Sequence, residues 1–365
     1  MRIVFLLRKT SISGGVRVVF EYANRLHDRG HDVYVVYPIW DSPIFDVKWK
    51  LDIFSLKRIY WAIKLILINL IKSNKVKWFP LRAKLLKVPT FNKNYIPKAD
   101  IIVATRWETA YQVIKYPADY GKKFYLIQHY ENWCGPEDKV NLTYNLGLNN
   151  IVISDWIKNI LVKKLSAKIE KVIPNGVDTN QFYIDKKDNP NGGGVRILMA
   201  YRNEKWKGAI DGIKAFEIAK KVCPNIKLVM FGPEPNEKIP QYVEFHKLPY
   251  GDKLRKIYNS CDIFIFTSHY EGFALPPMEA MACGCAVVTA NVGAVPDYTI
   301  KDETALVVEP HEIDNFAEGI IRLVNNKAER KKIAENGFNY IQKFNWDKST
   351  DDLENVFKKH ICILP

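Results

Sequence analysis

Short runs of apolar, β-branched and aromatic residues recur along the chain, bounded by glycine, proline or polar turns. Runs that are apolar at every position, rather than at alternate ones, make strands buried on both faces of a parallel sheet. Residues 2–7, 33–37, 101–104, 124–128, 151–153 and 171–173 form one series of such strands. Residues 196–200, 228–231, 243–245, 263–267, 286–289 and 305–308 form a second. Helices are expected at 16–29, 208–222, 279–283, 312–325, 329–343 and 349–360. Strands alternating with helices read as doubly wound α/β units. Two series in 365 residues suit two domains, because single cores seldom grow that large. Residues 173–178 (Ile-Pro-Asn-Gly-Val-Asp) read as the crossing between them, and the glycine-rich 185–194 as a surface loop.

The composition, 47% hydrophobic and 26% charged, is that of an ordinary globular protein, but the net charge is +14. That excess favours an anionic partner: a nucleotide-sugar, an acidic lipid surface or a nucleic acid. Six cysteines show no paired or metal-ligand spacing, and Cys283 and Cys285 read as small packing residues, so a cytoplasmic location is expected. The apolar run at 2–7 is too short for a signal peptide and is followed at once by Arg8 and Lys9.

The chemistry gathers after particular strands. Beyond 263–267 come Glu271 and Gly272, then Pro276 and Pro277 pre-set a helical turn, and Gly284 stops the helix. The N–H groups of Gly272, Phe273, Ala274 and Leu275, with the positive end of the helix dipole, suit a diphosphate. Glu271 and Glu279 bracket this turn, seven residues between them, so a ligand lying across it could meet both. Arg202 and Lys207 follow the strand at 196–200 and flank the next helix start, with Lys205 as the competing cation. In the first series, Gly14 and Gly15 make a turn after strand one, without the G-x-G-x-x-G of a dinucleotide site. His129 and Glu131 lie just past the strand at 124–128, and Trp107 and Glu108 past the strand at 101–104. Open α/β sheets bind ligands at such strand ends.

The stretch EGFALPPMEAMACGCAVV, with Glu271-x7-Glu279, resembles the signature of the retaining glycosyltransferases of family 4, the glycosyl transferases group 1, which have the GT-B fold. YRNEKWKG is similar to that family's basic donor loop in a shortened form, and IPNGVD to its linker. The resemblance covers most of the chain and is weakest at 41–99. It implies two Rossmann-like, doubly wound parallel-sheet domains facing a central cleft: an acceptor domain at 1–172, a donor domain at 173–345, and a terminal helix at 346–365 crossing back. It also implies retaining transfer of a hexosyl unit from a nucleoside-diphosphate sugar to a glycan or lipid-linked acceptor. Arg202 and Lys207 would then hold the diphosphate, Glu279 the ribose and Glu271 the sugar hydroxyls. His129 would touch the donor sugar, Gly14 and Gly15 would lie beside the acceptor, and Trp107, Glu108 and Glu131 are candidates for the acceptor cleft. With cations supplied by the chain and no DxD-like motif nearby, neither metal nor cofactor is expected. Two alternatives belong to other classes: a nucleotide-sugar 2-epimerase that acts on the donor alone, and a nucleic-acid binder argued from charge. The donor-type site favours the transferase and no nucleic-acid partner.

Residues 48–98 are the odd region, with 13 Lys or Arg against one acid and interleaved tryptophans. The apolar run 59–71 is too short to span a bilayer. A basic, aromatic insert reads as an amphipathic surface that docks peripherally on the anionic inner face of the cell membrane.

Overall fold

The computed structural model describes residues 1–39, 76–185, 194–235 and 239–361. The first sheet holds β1 (Arg2–Leu6), β2 (Asp32–Pro38), β3 (Lys84–Val88), β4 (Ile101–Ala104), β5 (Lys122–Ile127), β6 (Asn149–Val152) and β7 (Lys171–Val172). All its pairings are parallel, in the order β3-β2-β1-β4-β5-β6-β7, with Phe5 opposite Val35 on one side and Val103 on the other. Its helices are α1 (Gly14–Asp28), α2 (Trp107–Lys115), α3 (Glu137–Thr143) and α4 (Asp155–Leu165). The Ser13 side chain caps α1 by accepting the Val16 N–H at 3.3 Å.

The second sheet holds β8 (Val195–Ala200), β9 (Ile226–Gly232), β10 (Glu244–Lys247), β11 (Ile263–Phe266), β12 (Ala286–Ala290) and β13 (Leu306–Val308), again all parallel, in the order β10-β9-β8-β11-β12-β13. With it go α5 (Ala209–Val222), α6 (Asp252–Asn259), α7 (Leu275–Ala282), α8 (Val295–Tyr298), α9 (Ile313–Asn325) and α10 (Lys327–Ile341). Each sheet reverses its strand order beside its first strand, between β1 and β4 and between β8 and β11. The carboxyl ends of those strands form the crevices where such sheets bind ligands.

Helix α11 (Trp346–Ile361) follows the second sheet in sequence but packs on the first. Trp346 meets Tyr22 edge-on at 5.4 Å, and Phe357 meets Phe124 at 4.8 Å. Glu354 binds Arg29 at 2.8 Å and His31 at 3.1 Å. Burial pushes the Glu354 carboxyl up, but Lys358, Arg29 and His31 outweigh it and hold the group down to about 2.

The described part of the basic region is not a free insert. Residues 84–88 form β3, the edge strand of this sheet among the described residues, a position where lysines are favoured. Phe79 is buried, and Trp78 and Phe79 pack on Phe20 at 5.6 and 5.4 Å. Arg82, Lys84 and Lys98 are held by Asp28, Asp32 and Asp119, so much of the cationic charge here is met by the domain's own acids. The apolar run 59–71, and with it the expected membrane-facing helix, lies outside the described residues. No helix among the described residues is long and apolar enough to cross a membrane.

Candidate active site

Four loops at strand ends build the site. After β8, Arg202 and a short 3-10 turn at Lys205–Lys207 lead into α5 through Gly208, whose φ is +65°. A side chain there would place its Cβ 1.9 Å from the Thr267 carbonyl oxygen, so the turn is pressed against the end of β11. Thr267 donates its hydroxyl to the Gly208 carbonyl at 2.7 Å, and the His269 N–H donates to the Trp206 carbonyl at 2.7 Å. Held this way, the Lys207 ammonium donates to both oxygens of Glu271, at 2.8 and 2.9 Å. Helix α7 then starts beside them, its N-cap Ala274 at φ +70°.

Glu279, on α7, is buried and doubly bound. Arg17 of α1 donates to its Oε1 at 2.5 Å and the buried Tyr258 hydroxyl donates to its Oε2 at 2.9 Å. Arg17 also pairs with Glu21 at 3.3 Å. Burial alone would lower the Arg17 pKa, yet Glu279 and Glu21 together raise it. Neither Arg17 nor Tyr258 stands out in the sequence, because neither belongs to a turn or a motif.

From the first sheet come Gly14, Gly15, Gln128, His129 and Glu131. The domains touch closely here: a Cβ on Gly272 would fall 2.3 Å from the Gln128 carbonyl oxygen. Burial, then the charge of Lys207, lowers the His129 pKa to about 3. The ring is therefore neutral, and since the Tyr130 carbonyl at 3.3 Å can only accept, Nδ1 carries the proton and Nε2 is an acceptor. Trp133, Trp156 and Tyr270 surround it at 4.2, 5.9 and 4.9 Å between ring centroids. Burial raises the Glu131 carboxyl to about 7, although Arg106 at 3.2 Å and the Trp107 N–H at 2.9 Å both oppose it.

These side chains surround a cavity of about 480 Å³ between the two sheets. It gathers Arg202, Lys207, Glu271, Gly272, Phe273, Ala274, Leu275, Glu279, Gly14, Gly15, His129 and Glu131. Trp107 and Glu108 do not line it. Trp107 packs against Gly135 and Tyr111, and Glu108 pairs with Arg8, so both support the wall from behind. Two lining residues that the sequence left unmarked, Gln128 and Asn175, each bury a side-chain carbonyl oxygen with no hydrogen-bond partner among the described residues. A buried acceptor without a partner is costly, so both are candidates for ligand contacts. Lys205 is exposed and is not among the lining residues.

Comparison with known proteins decides the family. Residues 12–181 match the model for Glycosyltransferase Family 4, and residues 180–340 match that for Glycosyl transferases group 1. The chain belongs to the group 1 glycosyltransferases. An uncharacterized glycosyltransferase of Methanocaldococcus jannaschii (MJ1178) is 26% identical over 57% of this chain and 59% of its own length. The capsular polysaccharide biosynthesis glycosyltransferase CapM of Staphylococcus aureus is 26% identical over 57% of this chain and 60% of its own. The chain thus spans about three-fifths of the length of these relatives. Two solved structures share the fold: the sucrose-phosphate synthase of Thermosynechococcus elongatus and Anabaena HepE in complex with UDP-glucose. The former aligns over 100% of both chains at a TM-score of 0.77, the latter over 98% of this chain and 100% of its own at 0.75, each at 16% identity. In this group 1 glycosyltransferase the two family matches meet at residues 180–181, and the cavity draws residues from both.

Acid acts on this fold through groups of opposite sign. His129 is neutral in the fold with a pKa near 3, while the unfolded chain protonates near 6.5, so stability falls as pH drops below about 6.5. Glu354 stabilises fully above about 4.5 and loses its contribution as pH falls toward about 2. Between pH 7 and 4.5 the raised Glu131 carboxyl acts in the opposite direction, gaining stability as pH falls, so His129→Gln is expected to shift the slope toward greater stability in acid by removing a His129 loss of at most about 1.4 kcal/mol per pH unit. Urea unfolding at pH 7.5, 6 and 5 checks this; equal slopes for wild type and variant would refute it.

Proposed function

We propose that the chain transfers a hexosyl unit from a nucleoside-diphosphate sugar to a glycan or lipid-linked acceptor with retention of anomeric configuration. The observation that carries this reading is the Lys207–Glu271 pair at the mouth of α7, beside Arg202 and Glu279, in one cavity between two sheets. An arriving diphosphate would take Lys207 and Arg202, releasing Glu271 to the sugar hydroxyls, while Glu279 accepts from the ribose. The two cations and the α7 N-terminus then stabilise charge growing on the departing diphosphate. Catalysis by those cations needs no metal. Attack by the acceptor on the face the diphosphate leaves, with a diphosphate oxygen as base, gives retention. His129 Nε2 accepts from a sugar hydroxyl. Trp133 and Trp206, both exposed and 6.3 Å apart across the cleft, offer apolar faces to acceptor sugar rings. A membrane-borne acceptor accords with the cationic 48–98 stretch, whose residues 48–75 lie outside the described part.

Calorimetry against UDP, GDP, ADP and dTDP, each with and without its sugar, tests the reading. One nucleotide should bind; Glu279→Ala should weaken the bare nucleotide, and Glu271→Ala mainly the nucleotide-sugar. Equal effects of both variants on both ligands would remove this division, and binding of none of the nucleotides would sink the assignment. Conversion of the donor without any acceptor would point to the epimerase instead.

A further inference from the structure

Behind the donor turn, three side chains from three separate segments converge. They are Asp211 in the first turn of α5, His269 beyond β11, and His311 between β13 and α9. Asp211 Oδ2 lies 2.6 Å from His269 Nε2, and the imidazole rings of His269 and His311 lie tilted against each other with centroids 3.8 Å apart and planes at 39°. One ligand atom from each of the three lies within 4.8 Å of the others. None of them lines the cavity. Asp211 and His269 are mostly buried, whereas His311 is exposed, which leaves an entry path. His311 also holds φ at +70°, a conformation that costs a non-glycine residue energy and persists only where the surroundings impose it.

The Asp211–His269 contact uses two of the groups and gives the second imidazole no part in it. A divalent ion uses all three groups at once. We infer that Asp211, His269 and His311 bind a divalent transition-metal ion of the zinc class, outside the cavity. Two imidazoles and one carboxylate suit Zn²⁺ and leave a fourth tetrahedral position for water. With metal bonds of about 2.0 Å, ligand atoms stand about 3.3 Å apart, so only small side-chain shifts close the site. Asp211 lies three residues past Gly208, and His269 two before Glu271. The ion would therefore clasp the turn carrying Lys207, the loop carrying Glu271 and the β13–α9 turn into one unit. This inference rests on geometry alone and stands apart from the proposed transfer reaction.

The test is calorimetric titration of reduced, metal-free protein with Zn²⁺, with Co²⁺ absorption as a second readout. His311→Asn removes an exposed ligand while keeping a residue that tolerates the left-handed conformation. Asp211→Asn removes the charged one. Wild type is expected to bind one ion per chain with micromolar affinity or tighter, and each variant to bind at least about tenfold more weakly. The Co²⁺ spectrum should lack a thiolate charge-transfer band. Absence of binding to wild type, wild-type affinity in either variant, or a thiolate band would overturn the site.

Discussion

Lys207→Ala and Arg202→Ala are each expected to lower sugar transfer by roughly 30- to 1,000-fold while the chain stays folded. The diphosphate acquires negative charge as the glycosidic bond breaks, and preorganised cations act most strongly there, each contributing about 2–4 kcal/mol. Lys207 is preorganised by Glu271, and the backbone of its turn is fixed against Thr267 and His269. Loss of Lys207 also leaves Glu271 without its partner, so donor binding and turnover should fall together. The measurement is kcat/KM with the donor identified by calorimetry, alongside circular dichroism to confirm folding. Near wild-type turnover in either variant would remove that residue from the site. The same assay in EDTA should retain activity; full loss restored by Mg²⁺ would show that an ion, rather than these side chains, carries the charge.

The largest effect on stability is expected from Arg17→Met. Arg17 and Glu279 sit on opposite sides of the cleft, 262 residues apart in the chain, and both are mostly buried. Removing one member of a buried pair typically costs about 3–5 kcal/mol, because the other charge is left uncompensated. The two sides are not equivalent. Without Arg17, Glu279 retains the Tyr258 hydroxyl as its one side-chain partner among the described residues; without Glu279, Arg17 still has Glu21. Arg17→Met should therefore destabilise more than Glu279→Gln, and it should weaken nucleotide binding although it touches no motif. Guanidinium unfolding of both variants decides the point: equal or reversed losses would show that the pair is not what holds α1 against α7.

Much of this architecture was legible in the chain. The apolar runs marked twelve of the thirteen strands named above within a few residues. Burial on both faces of a parallel sheet demands an apolar residue at every position, and that demand is local. The strand left out, Lys84–Val88, lies at an edge where lysines are favoured, so its composition resembled a surface insert. Trp78, one of the tryptophans interleaved with the lysines, reads as membrane-facing for a related reason: an aromatic residue in a basic stretch looks the same whether it faces a membrane or Phe20.

The sequence by itself determined the succession of twelve strands along the chain, the turns at their carboxyl ends and the placing of Arg202, Lys207, Glu271 and Glu279 at those turns. Backbone geometry and the spacing of charges within one turn are short-range properties. Only the tertiary structure decided that Glu279 is held by Arg17, that Trp107 and Glu108 stand behind the wall, and that Asp211, His269 and His311 meet. Such contacts depend on which strand lies beside which and on how the two sheets face each other. Coulomb and hydrogen-bond energies act over a few ångströms in space, and no periodicity along the chain encodes that distance.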